Sequence, residues 1–240
     1  MHRKTILAGI AAVAVLVPGV VAWQVGPWQN DTAAPSETAS ADGATVADNA
    51  DREIGPLADE SGNPMTIYED DHILGSPDAP ITIIEYASLT CPHCAAFHNT
   101  ALPEIKKNYI DEGLVRLVYR DFPLDKVALH GSLIADCAPE ENYFRILGVM
   151  FSSQQQWATT ADPVAALDQI GRMGGVAPEA IAACTNDDAL IQKILTRAQE
   201  AQNVYGINST PSFVINGQIV KGALPYEEYD AILKSLLPKS

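Results

Sequence analysis

From Met65 onward the apolar positions change rhythm several times, and each change predicts an element. Ile81–Ala87 (ITIIEYA) is almost continuously apolar and rich in β-branched residues, as a strand covered on both faces should be. Leu114–Phe122 (LVRLVYRDF) predicts a second strand. Between them Cys94–Tyr109 has helical spacing, with Pro103 expected to kink the helix. Strand, helix, strand in this order predicts a right-handed crossover joining parallel strands. Ahead of them, Met65–Asp70 (MTIYED) predicts a short edge strand, and residues 71–80 a lead-in rich in turn formers.

After the second strand the spacing turns helical from Leu124 to about Val204. Val127–Ala138, Glu141–Gln156, Pro163–Met173, Pro178–Ala183 and Asp188–Asn203 each predict a helix, so 124–204 reads as an all-helical insertion. The sheet returns at Thr210–Ile215 (TPSFVI). Asn216-Gly217 is a strong hairpin signal, and Gln218–Lys221 is the returning strand. Pro225–Leu236 predicts an amphipathic last helix with Tyr226, Tyr229, Ile232, Leu233 and Leu236 on one stripe.

The first sixty residues follow another pattern. A basic start, Met1–Lys4, precedes an apolar run over Ile6–Ala22, as in a secretory signal. The run falls just short of the roughly 20 residues a spanning helix needs, and Val20-Val21-Ala22 is an imperfect cleavage site. Residues 1–29 are therefore expected to be a signal peptide cleaved near Ala22 or an N-terminal membrane anchor. Either way the excess of positive charge at the start places the bulk of the chain outside the cytoplasm. Residues 30–63 are rich in Ala, Asp, Ser, Thr and Gly and poor in large apolar residues, so they cannot offset the entropy of ordering. They predict a disordered acidic linker ahead of a domain over 64–240.

Composition narrows the function. The chain has 240 residues, 47% of them hydrophobic, enough for a sizeable core. Its net charge of -15 argues against nucleic acid, whose binding rests on Lys and Arg against phosphate. The domain is acidic in its own right, which suits solubility.

The chemistry concentrates at Cys91-Pro92-His93-Cys94, where the first strand gives way to the helix. This spacing puts two sulfurs one helical turn apart, close enough to form a disulfide and to open it again. A thiolate is the attacking and leaving species in disulfide exchange. At a helix start, unpaired N–H groups and the macrodipole favour the Cys91 thiolate, and His93 can add a positive charge or a donor. Stabilising that thiolate makes the disulfide easier to reduce, hence a stronger oxidant. Cys94, one turn in, is the resolving sulfur. A zinc site from Cys91, Cys94, His93 and His98 closes poorly, because His93 sits too near both cysteines and no second Cys-x-x-Cys exists. His98, one turn past Cys94, is expected to be a surface or packing residue, and His72 and His130 carry no signal. In an exported chain the other two cysteines, Cys137 and Cys184, are expected to pair as a structural disulfide, the alternative being two buried thiols.

Strand, Cys-Pro-His-Cys, kinked helix, strand, helical insertion, Thr-Pro and hairpin together resemble the DsbA-like thiol:disulfide oxidoreductases of the thioredoxin superfamily, over about Ile73–Leu237. The resemblance implies an α/β thioredoxin fold with an all-helical insertion between its βαβ and ββα halves. It also implies roles for three further residues. Glu85 matches a buried acid that moves protons at the second cysteine. Pro211 matches a cis-proline facing the active sulfurs. Thr210 matches the residue whose backbone pairs with substrate and whose side chain tunes the thiolate. The implied partners are exported substrate proteins with free thiols and a quinone-linked membrane reoxidase of DsbB or vitamin-K-epoxide-reductase type. No cofactor or metal is implied, and the protein is expected to be a periplasmic or otherwise extracytoplasmic monomer. Two other readings stay open: a disulfide isomerase or reductase on the same fold, toward which Thr210 leans, and a non-catalytic peptide-binding chaperone.

Overall fold

The computed structural model describes residues 66–237. The expectations for 1–29 and 30–63, and residues 64–65 and 238–240 of the 64–240 domain, lie outside the described residues.

Five strands form one sheet in the order β1-β3-β2-β4-β5: β1 (His72–Leu74), β2 (Ile81–Ala87), β3 (Val115–Asp121), β4 (Ser212–Ile215) and β5 (Gln218–Lys221). β2 and β3 run parallel, from Ile81 opposite Val115 to Ala87 opposite Asp121, and the other pairs are antiparallel. All seven residues of β2 are buried, because both its faces are covered. Ile81 and Ile83 pack with Phe97, Leu117, Phe213 and Tyr229 on one face, while Ile84 and Tyr86 pack with Val118, Ala201, Tyr205 and Val214 on the other. Asn216 and Gly217 both have positive φ, 43° and 87°, so the β4–β5 hairpin turns tightly, as the Asn-Gly pair predicts.

The edge strand starts later than its pattern predicts. In place of the strand expected at Met65–Asp70, the described residues 66–71 turn: the Asp71 N–H donates to the Tyr68 carbonyl at 3.1 Å, and the Asp71 carboxylate accepts from the Tyr68 N–H at 2.8 Å. A side-chain acceptor that takes a backbone N–H competes with pairing. The same carboxylate meets the buried Arg120 guanidinium at 2.7 Å, and pairing begins only at His72.

The crossover helix is also divided. α1 (Pro92–Asn99) and α2 (Ala101–Ile105) are separated at Thr100 (φ -124°, ψ -65°), and a single π-helical turn follows over Lys106–Ile110. The break falls ahead of Pro103, not at it. Pro103 offers no N–H to the Asn99 carbonyl four residues back, and its ring crowds that oxygen.

The insertion between β3 and β4 contains α3 (Lys126–Asp136), α4 (Tyr143–Ser152), α5 (Gln154–Ala158), α6 (Pro163–Met173), α7 (Pro178–Cys184) and α8 (Asp188–Tyr205), and α9 (Tyr226–Leu236) closes the domain. The single helix expected over Glu141–Gln156 is a 3-10 turn over Glu140–Asn142 followed by α4 and α5. It is interrupted at Ser153 (φ -103°, ψ 12°), whose hydroxyl and N–H both donate to the Val149 carbonyl, at 2.6 and 3.0 Å. Cys137 and Cys184, 47 residues apart, are disulfide-bonded and tie the C-terminal ends of α3 and α7. Among the described residues no helix is long and apolar enough to cross a membrane.

Candidate active site

β2 delivers the chain into the loop Ser88–Cys91, and the insertion holds that loop from two sides. The Ser88 hydroxyl lies 3.2 Å from the Thr90 hydroxyl, which donates to the Asp125 carboxylate at 2.6 Å. The other oxygen of Asp125 caps α3 by accepting from the Ala128 N–H at 2.8 Å, so the helix start and the loop share one carboxylate. From α5, Gln154 donates to the carbonyls of Leu89 (2.7 Å) and Cys91 (2.9 Å). Gly131 of α3 lets the loop approach closely, since a Cβ there would lie 2.6 Å from Leu89 Cδ1. Asp125 was recoverable from sequence as an acid one residue before a helix. Gln154 carried no signal, because its partners are carbonyls more than sixty positions away.

Cys91 is the N-cap of α1, in extended conformation, with Pro92 in the first helical turn. Proline's fixed φ suits that position and its missing N–H costs nothing there. Both cysteines are free thiols, Cys91 6% exposed and Cys94 0%. The Cys94 thiol, then the Thr210 side chain and the N–H groups of Cys94 and His93, stabilise the Cys91 thiolate; against desolvation they bring its pKa down to about 5. The Cys91 thiol also meets the Thr210 carbonyl at 3.2 Å. Burial, the bond to Cys91 and the negative charge of Glu85 act the other way on Cys94, whose pKa is raised far above a normal thiol. Two chemically identical groups one turn apart are thus split into a thiolate and a thiol.

The opposite wall comes from the segment before β4. The Thr210–Pro211 peptide bond is cis. It presents the Thr210 carbonyl to Cys91, 119 residues away in the chain. The Thr210 side chain is buried within this wall and is among the groups that favour the Cys91 thiolate. His93, between the two cysteines in the chain, is exposed, and its backbone N–H is among the donors that favour the Cys91 thiolate.

Glu85 is 0% exposed on the face of β2 that carries Ile83 and Ala87. Its carboxylate oxygens lie 3.0 and 3.1 Å from one nitrogen, Nε2 of His98. His98 is therefore not a surface residue: its side chain is 5% exposed and stacks on Phe151 at 4.0 Å. A helical stripe could not reveal this, since the position points at a polar group on a strand. His72 pairs with Asp136 at 2.9 Å and His130 with Asp168 at 2.8 Å, both away from the sulfurs. Among the described residues no group of three or more His, Cys, Asp or Glu is arranged to hold a metal ion.

The family model described as Thioredoxin matches residues 68–235. A Rickettsia bellii protein provisionally named a protein-disulfide oxidoreductase is 35% identical over 152 residues, or 63% of this chain. The aligned part spans 59% of that relative's length. Wolbachia pipientis alpha-DsbA1 superposes with a TM-score of 0.68 and 31% identity, over 72% of this chain and 93% of that one. A protein-disulfide isomerase from Novosphingobium aromaticivorans superposes with a TM-score of 0.62 and 25% identity, over 72% of this chain and 100% of the other. The match takes in the whole sheet, the Cys91–Cys94 junction and the helical insertion: the chain belongs to the thioredoxin family, in its DsbA-like branch.

Proposed function

We propose that the protein is an exported thiol:disulfide oxidoreductase that gives its Cys91–Cys94 disulfide to substrate proteins. The observation that carries this reading is the asymmetry of the two sulfurs: Cys91, 6% exposed, is held near pKa 5, while Cys94, fully buried, is held protonated. In the oxidised protein a substrate thiolate attacks Cys91 and Cys94 leaves. A second substrate thiol then attacks the mixed disulfide, and Cys91 departs as a thiolate that is stable at neutral pH. The disulfide itself accepts the two electrons of the substrate dithiol, so no cofactor is needed. Thr210 and Pro211 offer backbone to an extended substrate segment and the Thr210 hydroxyl to the departing sulfur. His93, exposed at the rim, supplies a further donor, and Glu85 serves the proton of Cys94. Cys137–Cys184 acts as a structural staple. Residues 1–29 direct export or anchor the chain, 30–63 act as a spacer, and a quinone-linked membrane protein of DsbB or vitamin-K-epoxide-reductase type reoxidises the dithiol. The protein works as a monomer outside the cytoplasm, on exported proteins with free thiols.

A second reading, isomerase or reductase, draws on the likeness to the Novosphingobium isomerase and on the threonine before Pro211. A redox titration against glutathione separates the two. Ionisation of Cys91 about two units below neutral pH raises the potential by up to about 60 mV, less where solvent screens the thiolate. We expect a midpoint above roughly -200 mV, and loss of all exchange in Cys91→Ser. A midpoint near that of thioredoxin, about -270 mV, would replace the donor reading with the reductase one.

A further inference from the structure

The exchange cycle requires a proton at a place water does not reach. Cys94 is 0% exposed, and so is Glu85, the acid beside it. When the disulfide opens, Cys94 leaves as a buried thiolate. When it closes again, the Cys94 thiol must lose its proton. A proton passed only between two groups that are both sealed from solvent has no source and no exit.

We propose that His98 is the positioning residue that supplies this proton through Glu85, holding jointly with the carboxylate the one proton that Cys94 gains and loses. The proposal rests on the dithiol-exchange reading of the site. Its ground is geometric. One imidazole nitrogen lies within 3.1 Å of both Glu85 oxygens. Phe151 stacks on the ring at 4.0 Å and Phe97 meets it edge-on at 5.5 Å, so the ring is held against the carboxylate. A lysine or arginine here would fix a permanent charge. An imidazole can take up and release one proton, and it extends from the sealed acid toward the partly exposed face of α1, with 5% of its side chain open against 0% for Glu85.

The step balances as follows. A substrate thiolate bonds to Cys91 Sγ, the Cys91–Cys94 bond breaks, and the electron pair leaves on Cys94. The proton shared by Glu85 and His98 moves to Cys94, so the buried charge is shifted but not increased. The second substrate thiolate then displaces Cys91, which leaves as a thiolate. The substrate dithiol is oxidised by two electrons, the protein is reduced by two, and the pair regains its proton from solvent through His98. On closure the same steps run in reverse. The titratable groups facing His98 are Glu85 from β2, Cys94 from its own helix and Tyr119 from β3, whose ring lies 5.9 Å away. α4 presents Phe151, with Tyr143 behind it against Tyr119 at 6.3 Å.

The test follows opening of the Cys91–Cys94 disulfide in the full chain by a small dithiol, with acid quenching, from pH 5 to 9. His98→Gln keeps a donor toward Glu85 but cannot titrate; His98→Lys keeps a cation there but fixes it. In both variants we expect opening to slow by on the order of 100-fold, with loss of a pH-dependent step that the wild type shows beyond the Cys91 ionisation. Thermal midpoint and Cys91 alkylation are read on the same samples to separate loss of structure from loss of the proton path. Adding Glu85→Gln to His98→Gln should slow opening no further than Glu85→Gln alone. A wild-type pH profile in either folded variant, or additive losses in the double variant, overturns the role of His98. If the wild type itself fails to oxidise dithiols, the exchange reading fails instead.

Discussion

At the scale of single residues, the decisive contrast is between Cys91 and Cys94. Position alone makes Cys91 an N-cap and Cys94 a buried first-turn residue, and the environment does the rest. The lowered pKa of Cys91, about 5 against 9.0 for a free thiol, has a stability consequence with a definite sign. A thiol whose folded pKa is depressed stabilises the folded reduced protein fully above the unfolded pKa, and that contribution fades as pH falls and is gone below about 5. Cys94 is protonated in both states below pH 8 and contributes nothing there. The unfolding free energy of the reduced wild type minus that of Cys91→Ser, from chemical denaturation, should therefore rise from pH 5 to pH 8, by at most about 1.4 kcal/mol per pH unit before solvent screening. Iodoacetamide alkylation of Cys91 should follow the same ionisation. A flat difference across that range would show that the thiolate is not specially stabilised.

At the scale of elements, a local rule accounts for most boundaries, and side chains that compete for backbone account for the rest. Pro92 begins α1, Asp125 caps α3 and Asn216-Gly217 turns the hairpin, all as their chemistry dictates. The segment before β1 is different, because a buried ion pair holds it. Arg120 of β3 bonds Asp71, the Thr66 carbonyl at 2.6 Å and the Tyr86 hydroxyl at 2.9 Å, with Tyr68 over its guanidinium at 4.7 Å. Removing the arginine strands a carboxylate that is 1% exposed. We expect Arg120→Met to cost about 3–5 kcal/mol in urea unfolding, moderated by Arg197 at 3.7 Å from the same carboxylate. Arg120 shares its sheet face with Tyr86, not with Glu85, so dithiol exchange in the folded variant should persist. A loss below 1 kcal/mol would mean that the pair does not fasten residues 66–71.

At the scale of the molecule, the insertion is part of the site as well as an addition to the fold. It sends Asp125 and Gln154 into the loop that carries Cys91 and provides Phe151 as the wall behind His98. The Cys137–Cys184 bond closes a loop of 47 residues within this helical layer. Chain entropy alone assigns such a closure about 4 kcal/mol as an upper figure. The double variant Cys137→Ser/Cys184→Ser should lose about 2–4 kcal/mol by chemical denaturation, with Cys91 alkylation unchanged at neutral pH. Unchanged stability would assign the pair some other use.

The sequence by itself determined the strand–helix junction, the parallel crossover, the helical insertion and the hairpin. Each is written in local periodicity or in the backbone preferences of Pro, Gly and Asn. Cys91 and Cys94 were legible for the same reason, since their spacing is a local fact. Thr210, Pro211 and Glu85 were legible only through family resemblance. The meeting of the Thr210 carbonyl with Cys91, the grip of Gln154 on the loop and the burial of His98 against Glu85 were decided by tertiary structure. These contacts depend on how elements pack across the sheet. A periodic pattern records that a residue faces inward, but not which polar group it meets there.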